Sequence, residues 1–97
     1  MNALICRSMH ERRVLRFHYD GGTREVEPHC HGCSKDDNDL LQGYQIAGYS
    51  SSGESVGWKM FRLDRVSGLV ATETTFHGAR PEYDPHDNRM ATVYCCL

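Results

Sequence analysis

The alternation of apolar and polar positions along the chain predicts a β-rich domain that begins with one helix. Residues 3–13 carry an apolar stripe at helical spacing, and Asn2 precedes them as an N-cap. Beyond the helix, apolar side chains recur at every second position between turn signals such as Asp20-Gly21-Gly22. This pattern predicts five strands, over residues 14–19, 23–30, 40–49, 58–66 and 69–71.

Five short strands joined by tight turns favour a small barrel, because closing the sheet removes its exposed edges. We expect Pro28, which lacks an N–H, near a strand end, a bulge or an edge, and we expect bends at Gly43 and Gly48. The pattern weakens after Thr72. Residues 1–76 are therefore predicted to form one domain. Residues 77–97 are predicted to form an extended C-terminal arm, in which 91–95 add one strand to the barrel or to a neighbouring subunit.

Residues 58–66 are the strand around which a candidate site is predicted. Phe61 and Leu63 alternate with Trp58 and Arg62, so the first pair is expected in the core and the second on the opposite face. An exposed indole beside a guanidinium is typical of a surface that stacks on rings and binds anions. The alternative interpretation is that Arg62 pairs with a neighbouring carboxylate while Trp58 covers the barrel edge.

Composition and charge restrict the range of functions. A chain of 97 residues makes one domain, and its formal net charge of −2 excludes a generic polycation that coats nucleic acid. No apolar run approaches the roughly 20 residues that span a bilayer, so neither a membrane segment nor a signal peptide is expected. The five cysteines are an odd number and are expected to be free thiols in a cytoplasmic protein.

Three blocks of this sequence resemble the WYL domain family. After a helix come Leu15 to Gly21 with the pattern F-x-Y, then Arg24 to His29 with R-x-V-x-P. The last and most specific block is Phe61-Arg62-Leu63-Asp64-Arg65-Val66, which is similar to the family's F-R-L-D-R-I. The resemblance covers residues 3–76. The Trp-Tyr-Leu tripeptide that names the family is absent, so the chain looks like a divergent, free-standing member.

The resemblance implies an Sm-like, SH3-type β-barrel with an N-terminal helix, in agreement with the strand count. WYL domains are found in bacterial transcription regulators and phage-defence proteins, where they act as sensing modules. The resemblance therefore implies a non-catalytic module that binds nucleic acid or a nucleotide-like anion through a basic, aromatic face. It places the family's basic positions on Arg62 and Arg65. The predicted ligand-binding residues are Trp58, Lys59, Arg62, Arg65 and Tyr44.

Two alternatives remain open from the residues. His29, Cys30, His31 and Cys33 have spacing that suits a zinc ion, although a structural zinc site usually shows two well-formed ligand pairs. Otherwise they would be a small buried cysteine with exposed histidines. The chain would alternatively be a protein-interaction module, a homodimer joined through residues 72–97 or bound to a regulatory partner. No catalytic motif is present, so we expect neither enzymatic activity nor a cofactor.

Overall fold

The computed structural model describes all 97 residues as one α-helix and six β-strands in a compact antiparallel sheet. The fold is mainly β, as predicted, and its sixth strand corresponds to the added strand that the sequence places over residues 91–95. The elements are α1 (Ala3–His10), β1 (Arg13–Tyr19), β2 (Gly22–Cys33), β3 (Asp39–Gly48), β4 (Gly57–Arg62), a 3₁₀ helix (Leu63–Arg65), β5 (Ser67–Thr75) and β6 (Thr92–Cys96).

The N-terminal helix has the cap that the sequence predicts. Asn2 has extended backbone angles, and its side-chain oxygen accepts the backbone N–H of Ile5 at 3.1 Å. The helix ends at His10 rather than Arg13, because Arg12 has φ 56° and leaves the right-handed region. The chain then turns directly into β1.

The hairpin between β1 and β2 is a two-residue turn. Asp20 and Gly21 both have positive φ, at 42° and 101°, and Tyr19 lies opposite Gly22 in the register. Two successive positive φ angles match the right-handed twist of the flanking strands, which explains why this dipeptide starts the hairpin. The predicted turn is confirmed.

The long strand β2 organises the sheet, whose hydrogen-bonded order is β4-β3-β2-β1-β5. One edge of β2 pairs with β3 along nearly its whole length. The other edge pairs first with β1, from Gly22 to Val26, and then with β6, from Cys30 to Cys33. Pro28 lies between these two partners and beside a register shift in the β2–β3 ladder, where a residue without an N–H is expected. The sixth strand therefore extends the chain's own sheet.

The predicted strand over residues 58–66 is shorter in the structure. It ends at Arg62, and Leu63–Arg65 form a 3₁₀ turn in which the N–H of Val66 donates to the carbonyl of Leu63. The strand that follows, β5, is longer than the predicted 69–71. Because β4 and β5 lie at opposite ends of the hydrogen-bonded order, the pairings show an antiparallel sheet and do not show its closure into a barrel.

The core lies between α1 and the inner face of the sheet. Phe61 packs edge-to-face against Phe17 and Tyr19, with ring centroids 5.0 and 4.9 Å apart. The predicted inward direction of Phe61 is confirmed, whereas Leu63 is only partly buried at the edge of the core. The buried core residues are Ile5, Met9, Leu15, Phe17, Tyr19, Val26, Leu41 and Phe61.

Four of the five cysteines form disulfides, so the prediction of free thiols is wrong. Cys6 pairs with Cys95 and Cys30 pairs with Cys96, while Cys33 is a buried free thiol. Strand β6 runs between α1 and β2, and adjacent residues of a strand point to opposite sides, so the two neighbouring cysteines reach different partners. Disulfides are typical of oxidising compartments, and the cysteine argument for a cytoplasmic protein therefore no longer holds. The one α-helix is too short to cross a membrane.

Candidate functional site

One face of the β3–β4 hairpin contains most of the residues that the sequence singles out. The register pairs Tyr44 with Trp58 and Leu40 with Arg62, and Gln42 faces Met60 between them. Trp58 and Arg62 share this face, as their alternation predicts. They are nevertheless four residues apart, about 13 Å at roughly 3.3 Å per strand residue. The two ends of the face have different surroundings and form two separate candidate sites.

The first candidate is the aromatic cluster, formed by His29, Tyr44, Trp58 and Tyr83. The Trp58 ring stacks on Tyr83 with centroids 5.9 Å apart and an interplanar angle of 20°. It meets the edges of Tyr44 and His29 at 5.5 and 4.7 Å. Its indole N–H donates to the carbonyl of Pro81 at 3.3 Å. The arm therefore covers Trp58.

Arg80 of the arm covers the other ring of the cluster. Its guanidinium donates to both carboxylate oxygens of Glu27, at 2.8 and 2.9 Å, and lies 4.4 Å from the centroid of the Tyr44 ring. Glu27 is only 4% exposed, so Arg80 supplies hydrogen bonds that this carboxylate would otherwise make with water. Hydrogen bonding to Glu27 raises the pKa of Arg80. Tyr44 is thus not an open ligand floor.

His29 fixes the arm through its ring. The backbone N–H of Arg80 donates to Nε2 at 3.1 Å, so Nε2 must carry a lone pair. Nδ1 therefore carries the hydrogen and donates to the carbonyl of Glu27 at 2.8 Å. Burial lowers the pKa of His29, which keeps the ring neutral in this arrangement.

His31, two residues further along β2, repeats the same arrangement. Its Nδ1–H donates to the carbonyl of Leu40 at 2.8 Å, and its Nε2 accepts the backbone N–H of Asn2 at 3.0 Å. Cys30 is in a disulfide, and the Cys33 thiol donates to the carbonyl of Ser34 at 3.2 Å. The residues of the predicted zinc site therefore have other partners, and no three His, Cys, Asp or Glu side chains are placed to hold a metal ion. The geometry provides no ligand set for the zinc alternative.

The second candidate is the cationic cleft, a cavity of about 550 Å³ at the other end of the hairpin face. Three segments form it: the β2–β3 loop, the paired ends of β3 and β4, and the stretch before β6. Three of its side chains are cations and one is a carboxylate, above a floor with apolar atoms. Its volume lies within the usual range of ligand sites. The lining residues are Ser34, Lys35, Asp36, Asn38, Leu40, Met60, Arg62, Asn88, Arg89 and Ala91.

The cations of the cleft differ in how fully they are paired. Nη2 of Arg62 donates to Asp64 at 2.7 Å and to Asn38 at 3.2 Å, whereas its Nε and Nη1 have no acceptor in the protein. The ammonium of Lys35 makes no hydrogen bond or ion pair. Arg89 is held more firmly, because its Nε and Nη2 both donate to Asp87, at 2.9 and 2.6 Å. Lys35 and Arg62 therefore keep donors that a ligand can use.

Electrostatics agrees with this geometry. The hydrogen bond to Asp64 raises the pKa of Arg62, and the hydrogen bonds from Arg89 lower the pKa of Asp87. Arg62 and Arg89 thus stay charged, and Asp87 is a carboxylate at all ordinary pH values. The charges that these two arginines present therefore do not depend on pH near neutrality.

The remaining predicted site residues lie elsewhere. Lys59 faces Gly43 in the register, and its ammonium donates to the carbonyl of Glu54 at 2.7 Å within the β3–β4 loop. Arg65 belongs to the 3₁₀ turn and pairs with Asp20 at 3.5 Å. The structure therefore separates the five predicted residues into Tyr44 and Trp58 in the aromatic cluster, Arg62 in the cationic cleft, and two outside both.

Sequence reasoning missed Lys35 and Arg89 as partners of Arg62. Lys35 lies in a polar loop, and Arg89 lies in an arm that the alternation does not describe. They are 54 positions apart in the chain, so no local motif could indicate that they line one cavity. The only sequence signal was Arg62 itself, in the third block of the family resemblance.

Arg24, the arginine in the second block of the family resemblance, has a structural role and lies in neither candidate site. Arg24 is 4% exposed, without a carboxylate partner, and donates to the carbonyl of Tyr19 at 3.0 Å and to Gln45 at 3.3 Å. Its guanidinium lies 5.4 Å from the ring centroids of both Tyr19 and Tyr49. These rings and oxygens stabilise a buried cation, so Arg24 belongs to the packing of the sheet.

Comparison with known proteins adds no relative: no protein-family model, curated protein or solved structure matches this chain. The functional assignment therefore depends on the two regions described above. One is an aromatic cluster that the chain's own arm fills. The other is a cationic cleft in which donors remain unused.

Proposed function

We propose that the protein is a non-catalytic module whose cationic cleft binds a small anionic ligand of the nucleotide type. The observation that supports it is the position of Lys35 and Arg62, whose unused donors lie on one cavity with the apolar atoms of Leu40 and Met60. Charge-assisted hydrogen bonds to a phosphate are stronger than neutral ones, and the apolar side chains of the cleft add contact area for the rest of the ligand.

The cleft is a better candidate than the aromatic cluster. A base that stacked on Trp58 would have to displace Tyr83 and break the hydrogen bond to Pro81. Extended single strands are usually bound by a basic groove with several open aromatic rings. The cleft offers the side chain of Met60 instead of a ring, so we propose a ligand of nucleotide size rather than a nucleic acid strand.

We also propose that the sheet is an Sm-like, SH3-type barrel of the WYL kind. This is supported by the N-terminal helix, the strand order β4-β3-β2-β1-β5 and the 3₁₀ turn that links β4 to β5. The three sequence blocks lie on β1, on β2, and on β4 with the turn that follows. A role in sensing for a bacterial regulator follows from this resemblance and stays a prediction. The cytoplasmic location, expected from the lack of an apolar segment and from the cysteines, also stays a prediction.

Calorimetric titration with ribonucleoside 5′-monophosphates at low and high salt tests the proposed site. We expect binding that weakens as salt rises, because the contacts are between charges. We expect the affinity to fall about tenfold in Arg62→Ala, which removes one charge-assisted contact, and to be kept in Arg65→Ala, which removes an equal charge outside the cleft. Absence of binding to every nucleotide, or wild-type affinity in Arg62→Ala, would contradict the proposal.

A protein-interaction module is the second candidate, favoured by the outer edges of β4 and β5, which have no strand partner in the sheet. On β5, Val70 is 41% exposed. Unpaired edge strands readily accept a strand from another chain. Light scattering over a range of concentrations tests this reading: a dimer that Val70→Lys dissociates would support it, and a monomer at all concentrations would exclude self-association.

A further inference from the structure

We propose that Arg62 exchanges anionic partners, and that Asp64 is an internal competitor for the anionic ligand of the cleft. In the free protein the Asp64 carboxylate holds the guanidinium at 2.7 Å. In the complex the dianionic phosphate of a phosphomonoester takes that place and also contacts Lys35. This inference rests on the proposed function of the cleft, and it adds the class of the ligand and the residue that limits its affinity.

The backbone at Arg62 is fixed while its side chain is free to move. The backbone N–H of Arg62 donates at 3.1 Å to the hydroxyl of Tyr19, a core residue that is only 8% exposed. The side chains of Arg62 and Asp64 are 46% and 59% exposed. Ion pairs this exposed are weak because water competes for both partners. An exchange of partner therefore needs only a rotation of side chains.

The neighbouring pair of Arg89 and Asp87 is built differently and serves as a matched comparison. Asp87 is 15% exposed, and its Oδ1 accepts both the backbone N–H and the Nε–H of Arg89 at 2.9 Å. Its Oδ2 accepts a further hydrogen bond at 2.6 Å. A ligand would have to break a bidentate contact to recruit this arginine. In both pairs the two residues are two positions apart in the chain. Only in the Arg62–Asp64 pair can a ligand easily replace the carboxylate.

The unused donors favour a phosphomonoester over other anions. Arg62 offers Nε and Nη1, and Lys35 offers a whole ammonium group. A phosphomonoester carries about −1.5 to −2 charges near neutrality and has three acceptor oxygens. Once Asp64 releases Nη2, the ligand can accept from the fork that Nε and Nη2 of Arg62 form and from the Lys35 ammonium together. A carboxylate or a phosphodiester carries one charge and leaves one of the two cations without a counter-ion.

The test compares the wild type with Asp64→Asn and Asp87→Asn by calorimetric titration. Each protein is titrated with the four ribonucleoside 5′-monophosphates, with their nucleosides and with their 3′,5′-cyclic diesters. We expect Asp64→Asn to bind the monophosphates several-fold more tightly than the wild type, whereas Asp87→Asn gains nothing. We expect at least about tenfold weaker binding of the cyclic diesters, since the ligand loses one charge-assisted contact. Binding should also weaken below the second pKa of the phosphate, about 6.

Asp64→Ser controls for an effect on folding, because it keeps a short polar side chain within the 3₁₀ turn. It must reproduce the gain of Asp64→Asn, with an unchanged urea midpoint in both variants. If the wild type binds monophosphates but neither Asp64 variant binds more tightly, the competitor role is wrong and the proposed function stands. If cyclic diesters bind as well as monoesters, the ligand class is wrong. If no variant binds any nucleotide, both the inference and the proposed function are wrong.

Discussion

The two ends of the β3–β4 face differ in what covers them, although the same two strands build both. At one end, Trp58 and Tyr44 are covered by the arm through stacking, a bidentate ion pair and directional hydrogen bonds. At the other end, Arg62 and Leu40 line an open cavity. Alternation along a strand decides which face a side chain occupies. Whether that face is open is decided by a segment that is distant in sequence.

The cations at the two ends also differ in role. Arg80 pairs with a buried carboxylate, and removing either partner would leave a charge without compensation, so the contact is structural. Arg62 pairs with an exposed carboxylate that water or a ligand can replace. A paired arginine is therefore not evidence against binding by itself. The burial of its carboxylate partner decides whether the arginine is structural or can exchange that partner for a ligand.

The largest expected effect is the loss of the disulfides, both of which anchor the arm. They join residues 89 and 66 positions apart, and closing loops of this size stabilises a fold by about 2–5 kcal/mol each. Urea unfolding with and without a dithiol reductant should show a large drop in the midpoint. Thiol titration of the denatured, unreduced protein should find one free cysteine. Five free thiols would contradict the disulfides, and Cys33→Ser should keep the wild-type midpoint.

The next effect separates the two arginines. Arg80→Ala leaves the buried carboxylate of Glu27 without its partner and should cost about 2 kcal/mol of unfolding free energy. It should also shift the emission of Trp58 to longer wavelength as the arm loosens. Arg62→Ala is the matched control and should change neither the urea midpoint nor the emission. Equal destabilisation by both variants would remove the distinction between the covered and the open end.

The third effect concerns pH. Burial lowers the pKa of both His29 and His31 from the ordinary value of 6.5, so between the two values the unfolded chain binds more protons than the fold. Their stabilising contribution is complete above pH 6.5 and is lost as the pH falls through the folded pKa. The urea midpoint should therefore fall on acidification. His29→Gln should reduce this fall, and a wild-type midpoint that is the same on both sides of pH 6 would contradict it.

The smallest effect is on binding alone. Lys35→Ala and Arg62→Ala should each lower the affinity for a nucleoside monophosphate about tenfold, because each removes one charge-assisted contact. Their urea midpoints should stay at the wild-type value, since neither side chain supports the core. Arg65→Ala, whose guanidinium pairs with Asp20 outside the cleft, should bind like the wild type. Loss of affinity in Arg65→Ala would place the ligand at another surface.

Local features were predictable from the sequence because short-range physics fixes them. The cap at Asn2, the Asp20-Gly21 turn, the bulge beside Pro28 and the inward direction of Phe61 each depend on a few neighbouring residues. The length of strand 58–66 was overestimated, because the alternation continues through a 3₁₀ turn that has a similar polarity pattern. The predicted helix was also too long, because the apolar–polar pattern does not reveal the positive φ of Arg12, just after the end of the helix.

The distant contacts were not predictable. The pairing of Cys6 with Cys95 depends on how β6 docks between α1 and β2, and five cysteines alone permit many pairings. Likewise, nothing near Trp58 in sequence indicates that Pro81 and Tyr83 cover it. The candidate site was therefore predicted only in part: Arg62 was named and lines the cleft, but the face was expected to be open along its whole length.

The most direct test of the central claim is a ¹H–¹⁵N NMR titration with a nucleoside 5′-monophosphate. If the cleft binds the ligand, the shifts will lie in residues 34–40, 60–64 and 88–91, and the indole N–H of Trp58 will keep its hydrogen bond to Pro81 and its position in the spectrum. Shifts centred instead on the Trp58 indole and on residues 79–83 would contradict this account. They would mean that the ligand displaces the arm and binds the aromatic cluster.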